Sequence, residues 1–291
     1  NRVERRRVIR RITLTGRRVL LGLVAALIAV ASASAADLPR VVSMNLCTDQ
    51  MVLLLADPDQ ITSLSRLARD PRSSSLAQEA SAHPQNAGGA EEIYLSAPDL
   101  VLAGQYSDKA TLAMLRHLGL RVEQMPITKA LDDIPAQIRW MGDLLQQPAR
   151  AEAMARDVEQ TLAAQPALAP DAPVAAFYYP NGYSLGVDTL GHDIVTTGGL
   201  RNLSQKLGRR TSGRLALEEL VMNAPDVLVT TTPYPGGSRS EEIMLHPALA
   251  QYAKTGRMVY SSPDWVCGTP LALRAVQDVR RAGNQIRHEE R

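Results

Sequence analysis

Downstream of residue 39, short continuous apolar runs alternate with stretches whose apolar positions recur every three to four residues. The runs at 40–44, 61–64, 99–103 and 121–125 have the length of buried strands and are too short for core helices. Between them, 48–55, 91–97 and 109–118 carry helical spacing. Thr48 or Asp49 can cap the first, and Gly119 follows the last, at the usual place past a helix end. Ile134, Ile138, Met141 and Leu145 mark a further helix. Pro148 suits the first turn of the next, which carries Met154, Val158 and Leu162 on one face and ends before Pro166. Strands then return at 174–179, 226–231 and 258–261, with helices at 218–224, 246–252 and 271–286. Such alternation predicts α/β structure, with mostly parallel sheets covered by helices.

One stretch occurs twice. Ala90-Glu91-Glu92-Ile93-Tyr94-Leu95-Ser96-Ala97-Pro98-Asp99 returns 127 positions later as Leu217-Glu218-Glu219-Leu220-Val221-Met222-Asn223-Ala224-Pro225-Asp226. In each copy two carboxylates sit in a first helical turn, where the helix dipole favours them. Proline then stops the helix and a buried strand follows. One such unit per lobe predicts two similar lobes, 36–147 and 167–291, joined by one long helix at 148–166. A helical connector is stiff, so little motion between the lobes is expected.

The first 35 residues follow another logic. Arginines fill the stretch up to Arg18, an apolar run covers 19–30, and small residues lead to Ala33-Ser34-Ala35. These are the three parts of a secretory signal peptide, with cleavage expected near Ala35. The alternative, a membrane span, needs roughly 20 apolar residues. Of 32 Lys+Arg, eight lie in this leader, against one of 30 acidic residues, so the remainder is acidic, with 24 basic and 29 acidic residues. The basic balance belongs to targeting, and no nucleic-acid partner is expected. The rest of the chain is long enough for two cores. Aromatic content is only 4%, so those cores rest on Leu, Ile, Val, Met and Ala.

Ligands of open α/β sheets bind beyond the carboxyl ends of strands. The residues following the predicted strands include Asn45, Cys47, Tyr106, Tyr179, Tyr183, Tyr234, Asp264 and Trp265. Tyr and Trp pair a flat apolar face with a polar edge, which suits a large ring-bearing ligand; the competing reading is that some of them are packing residues, and Trp265 is favoured over the tyrosines as a ligand residue. The histidines His83, His117, His192, His246 and His288 are scattered, so no bound metal or other cofactor is expected of the protein itself. There is no Gly-x-Ser-x-Gly elbow and no phosphate loop.

In this order, Arg40-Val41-Val42-Ser43-Met44-Asn45, the two Glu-Glu-(Ile/Leu)-x-x-x-Ala-Pro-Asp units, Leu118-Gly119-Leu120-Arg121-Val122, Gly198-Gly199-Leu200-Arg201-Asn202 and Ser262-Pro263-Asp264-Trp265 resemble the periplasmic substrate-binding proteins with a rigid connecting helix, the cobalamin and iron-siderophore receptors of ABC importers. The resemblance runs over about 40–286. It implies a monomeric, periplasmic, non-enzymatic protein that captures a metal chelate, corrinoid or ferric siderophore, with the metal carried by the ligand. It implies as partners an ABC permease in the inner membrane and an outer-membrane receptor system upstream. One glutamate per lobe meets the permease in that family, and the matching positions are Glu91 and Glu218. Trp265 matches a cleft tryptophan of the cobalamin receptors. Other positions aromatic in those receptors hold Asn86, Gly104 and Arg66, and Arg66, Arg69 and Arg214 are candidates to face an anionic chelate.

Cys47 and Cys267 match no family motif. Each follows a strand, one per lobe, and in an oxidising compartment two thiols tend to pair. A disulfide across the cleft floor is expected, with a metal–thiolate role as the alternative. The rival functions are a two-lobed chelatase-like enzyme and a secreted sensing module that uses the same cleft.

Overall fold

A computed structural model describes residues 38–289; the expected leader at 1–35 lies outside the described residues. The first sheet is built from β1 (Val41–Ser43), β2 (Ile61–Ser65), β3 (Gln85–Asn86), β4 (Leu100–Gly104) and β5 (Val122–Met125). Its order is β3-β2-β1-β4-β5 and every pairing is parallel. The second contains β6 (Val174–Phe177), then, past the short β7 (Tyr183–Ser184), β8 (Arg201–Asn202), then, past the short β9 (Gly213–Arg214), β10 (Val227–Thr231) and β11 (Met258–Ser261). Its order is β11-β10-β6-β8, again all parallel. β7 and β9 pair with each other as a small antiparallel ladder. Every residue of β1 and β4 is buried, which is why these strands read as unbroken apolar runs rather than alternating ones.

The helices fall close to their expected places, including Leu46–Leu55, Lys109–His117, Ile134–Leu144, Pro148–Ala163 and Ala272–Glu289. Several elements were not legible, among them the short helices Ala77–Ala80 and Leu203–Lys206 and the strands β7 and β9; three others show why. β3 has no apolar residue; it is held through buried Asn86, whose Nδ2 donates to the Ser43 carbonyl (2.9 Å) and to Ser63 Oγ (3.0 Å). The two-residue β8 offers too little pattern to read. The helix Leu190–Thr197 carries Gly191 and a Val195-Thr196-Thr197 run, both poor helix formers; burial of Ile194 and Val195 and a cap from Thr189 Oγ1 to the His192 amide (3.3 Å) override that preference.

The repeated segment has a structural cause that is the same in both lobes. Asp99 accepts the Arg40 amide (2.8 Å) and gives its own amide to the Arg40 carbonyl (2.9 Å). Asp226 does the same with Val174, at 2.7 and 2.8 Å. Each aspartate therefore pins the start of its lobe's first strand. The helices Ala90–Leu95 and Leu217–Asn223 both end on an alanine in the left-handed region, Ala97 at φ 46° and Ala224 at φ 41°, and the proline that follows bars further helix.

The chain passes from one sheet to the other once, by way of Pro148–Ala163. This helix packs on Ile134–Leu144 so closely that a β-carbon at Gly142 would lie 2.1 Å from that of Ala151. A single apolar cluster joins Val41 and Leu102 of the first sheet to Phe177 and Val229 of the second, through Ile138, Ala155 and Trp265. The two sheets therefore share one core.

Candidate functional site

Chain order reverses once in each sheet. β1, β2 and β3 build outward on one side and β4 and β5 on the other; β6 and β8 go one way and β10 and β11 the other. The crevice outside the carboxyl ends of strands at such a reversal is where open α/β sheets bind ligands. In the first sheet that point lies between β1 and β4. Asn45 occupies it, capping Leu46–Leu55 by accepting the Cys47 amide (2.9 Å). It lies so near Gly104 that a β-carbon there would come within 2.7 Å of the amide group, so the close approach requires glycine. In the second sheet the point lies between β6 and β10, beside Tyr179 and Thr231.

Cross-links between the lobes gather around these strand ends. Cys47 and Cys267 form a disulfide, their Cα atoms 5.2 Å apart, so neither is available as a thiolate ligand. One turn beyond Cys47, Gln50 Oε1 accepts from Thr269 Oγ1 (3.3 Å). Between them a β-carbon at Gly268 would collide with Thr128, at 2.0 Å from its hydroxyl. The Leu131 amide donates to Asp193 (2.6 Å). Arg72 reaches across to donate to the carbonyls of Thr232 (3.1 Å) and Pro233 (3.3 Å), and its guanidinium lies 4.0 Å from the centre of the Tyr234 ring. A cavity of about 450 Å³ opens here between the lobes, walled by Pro71 and Arg72 on one side and by Thr232, Tyr234, Ser262 and Val266 on the other.

Of the residues expected at strand ends, Tyr234 lines this cavity. Tyr106 is almost fully exposed beyond β4, and Tyr183 is half-exposed in the β7–β9 ladder, opposite Arg214. Tyr179 stacks on Phe177 with ring centres 6.1 Å apart; burial pushes its phenol up to about 12, and a hydrogen bond with Ser261 opposes that rise. Trp265 departs from the expected open aromatic platform. Only 8% of it is exposed, and its edge meets Phe177 at 6.2 Å, because the turn at Pro263–Trp265 folds the indole back into the shared core. Buried polar atoms without a partner collect at this end of the sheet: Ser262 Oγ, Asp264 Oδ1, Trp265 Nε1 and Gln50 Nε2. Buried polar groups are normally satisfied; of these four residues, Ser262 lines the inter-lobe cavity. Arg72 carried no sequence signal, being one exposed arginine among several. Arg69 is engaged with the carbonyls of Ala80 and His83.

Glu91 and Glu218 are exposed in the first turns of their helices and make no ion pair among the described residues. Their neighbours are occupied locally: Glu92 accepts the Ala87 amide (2.9 Å), and Glu219 pairs with Arg209 (3.1 Å). Among the described residues no group of three or more His, Cys, Asp or Glu is placed to hold a metal, and no helix is long and apolar enough to cross a membrane.

Beneath the cleft, Asp49 is fully buried and accepts from the amide (3.0 Å) and hydroxyl (2.5 Å) of Ser65. Burial raises its carboxyl from 3.8 to about 6, against hydrogen bonds from Ser43 and Ser65 that lower it. The folded value lies above the unfolded one, so protonation stabilises the fold. That contribution is complete below pH 3.8 and disappears as pH rises through 6. At about 1.4 kcal/mol per pH unit the ionised group costs about 3 kcal/mol at neutrality. Asp49→Asn is expected to be more stable than the wild type at pH 7.5, with the difference vanishing towards pH 4. Urea unfolding at both pH values measures it; equal differences at the two would rule the account out.

Comparison with known proteins fits this geometry. The family model described as periplasmic binding protein matches residues 41–261. No curated protein sequence matches the chain. Among solved structures, the periplasmic heme-binding protein RhuT from Roseiflexus sp. RS-1 is 22% identical, with 85% of this chain and 98% of that one covered and a TM-score of 0.71. The vitamin B12 binding protein BtuF of Vibrio cholerae is 16% identical, with 86% and 98% covered and a TM-score of 0.63. An ABC-type Fe3+-hydroxamate transport system protein from Saccharomonospora viridis DSM 43017 is 19% identical, with 84% and 93% covered and a TM-score of 0.63. These likenesses show the same fold over 84–86% of the chain, and with the family match across both sheets the chain belongs to the periplasmic binding protein family.

Proposed function

We propose that the protein is the periplasmic substrate-binding component of an ABC importer, and that its cargo is a metal chelate of the heme, corrinoid or ferric-siderophore type. The observation that carries this reading is the match to the family over both sheets, combined with an inter-lobe cavity walled by Pro71 and Arg72 beyond β2 on one side and by the residues following β10 and β11 on the other. Similar solved structures bind heme, vitamin B12 or serve Fe3+-hydroxamate transport. The exposed tyrosines beside the cleft suit a ring-bearing ligand. In this reading the protein binds without catalysis, and the chelate brings its own metal.

The equivalent carboxylates Glu91 and Glu218 support a permease contact. Each is followed on the same short helix by exposed apolar residues, Tyr94 and Leu95 in one lobe, Val221 and Met222 in the other. Two like patches suit a partner that offers two like surfaces.

Thermal-shift titration with heme, cobalamin, a ferric hydroxamate, a ferric catecholate and bare metal ions tests the cargo. A ligand at a hundredfold excess over its Kd should add about 2.7 kcal/mol of stability. A saturable shift with one chelate identifies the cargo. Shifts from bare ions alone, or from nothing in the panel, would overturn the chelate reading.

A further inference from the structure

A second cavity, of about 370 Å³, lies in the second lobe beneath the segment Arg239–Leu245 and against the helix Pro247–Lys254. It adjoins the cleft, since Thr231 and Tyr260 line both. Its volume falls at the small end of the roughly 300–1,000 Å³ usual for small-molecule sites. The walls are largely apolar, with Met244, Leu249, Ala253 and Met258 among them.

Two buried polar groups interrupt that apolar lining. Glu241 is 8% exposed; its Oε1 accepts the Tyr234 amide (3.0 Å), while its Oε2 is buried without a partner. Thr230 is 2% exposed, and its Oγ1 likewise has none. Glu242 adds a second carboxylate to the lining, and no Lys, Arg or His is among the lining residues. A carboxylate oxygen held in an apolar wall, with a second carboxylate and no cation among the lining residues, favours a positively charged donor and disfavours an anion.

We infer that this side pocket binds a primary alkylammonium group, with the ammonium on Glu241 and the hydroxyl of Thr230 and its alkyl chain along the apolar walls. The group is either the tail of a cargo seated in the cleft or a free amine. Only the first alternative rests on the function proposed above.

The test uses the full chain without any chelate, so it does not depend on the identity of the cleft's cargo. n-Pentylamine, n-pentanol and pentanoate are titrated at matched ionic strength and followed by thermal shift and calorimetry. Saturable binding of the amine, with the alcohol weaker and the acid silent, is expected. Glu241→Gln keeps an acceptor for the Tyr234 amide and should weaken the amine by about tenfold or more, the loss typical of a hydrogen bond to a charged group. No binding of pentylamine to the wild type, or equal binding of pentanoate, overturns the inference even if the variant does not fold. So does undiminished amine binding by a folded Glu241→Gln. A ferric trihydroxamate with an aminopentyl tail, compared with its N-acetylated form, then separates the two sources. Preference for the free-amine tail assigns the pocket to the cargo, and indifference assigns it to a separate amine.

Discussion

Replacing Cys47 and Cys267 together with serine should lower the free energy of unfolding by about 5.4 kcal/mol, the chain-entropy value for so long a closed loop. The bridge spans 220 positions and encloses nearly every described element. Without it the unfolded chain gains the freedom of a loop that contains every strand but β1, while the folded state keeps its shared core. The double variant is the right comparison, because either single one leaves a reactive thiol. Equilibrium unfolding in guanidinium, with the oxidised wild type beside the variant and beside wild type held in reductant, measures the effect. Reduced wild type and variant should coincide. A loss under about 1 kcal/mol would mean that the bridge does not restrict the unfolded chain as the loop length requires.

Trp265→Ala comes next in size, at about 3–5 kcal/mol, the usual cost of removing a large buried aromatic. The indole fills the junction between the sheets, with its edge on Phe177. Its Nε1 has no protein partner among the described residues, so Trp265→Phe breaks no hydrogen bond within the protein and should stay within about 1–2 kcal/mol of the wild type. The contrast between the two variants separates packing from polarity. If phenylalanine proves as damaging as alanine, the nitrogen has a role in the cleft floor that apolar packing does not supply.

Trp265 also marks where sequence reasoning stops. Its place after β11 was legible, because a run of Met258 to Ser261 bounded by Pro263 reads as a strand and its exit. The direction of its side chain was not. That depends on the turn geometry and on Phe177, far away in sequence. The same holds for Tyr179, turned onto Phe177, and for Arg72, which gains its meaning from a loop 160 positions away. By contrast the two lobes, their parallel sheets and the repeat were legible, since each rests on local spacing: buried runs for β4 and β10, and Ala-Pro-Asp for the staple onto the neighbouring strand. Cys47 and Cys267 fall between these cases. Their strand-end positions were readable one by one, and their pairing followed from two thiols placed at facing ends.

The shared core and the bridge together lead us to expect a nearly constant distance between the lobes. Glu91 and Glu218 sit on helices anchored by Asp99 and Asp226 to sheets that cannot be drawn apart without breaking a covalent bond and opening one apolar interior. The molecule is thus a gauge block rather than a pair of jaws. A partner that touches both helices is expected to find the same span whether the cleft is full or empty, and to tell the two apart by the cargo itself or the Arg72-clasped loop at the rim.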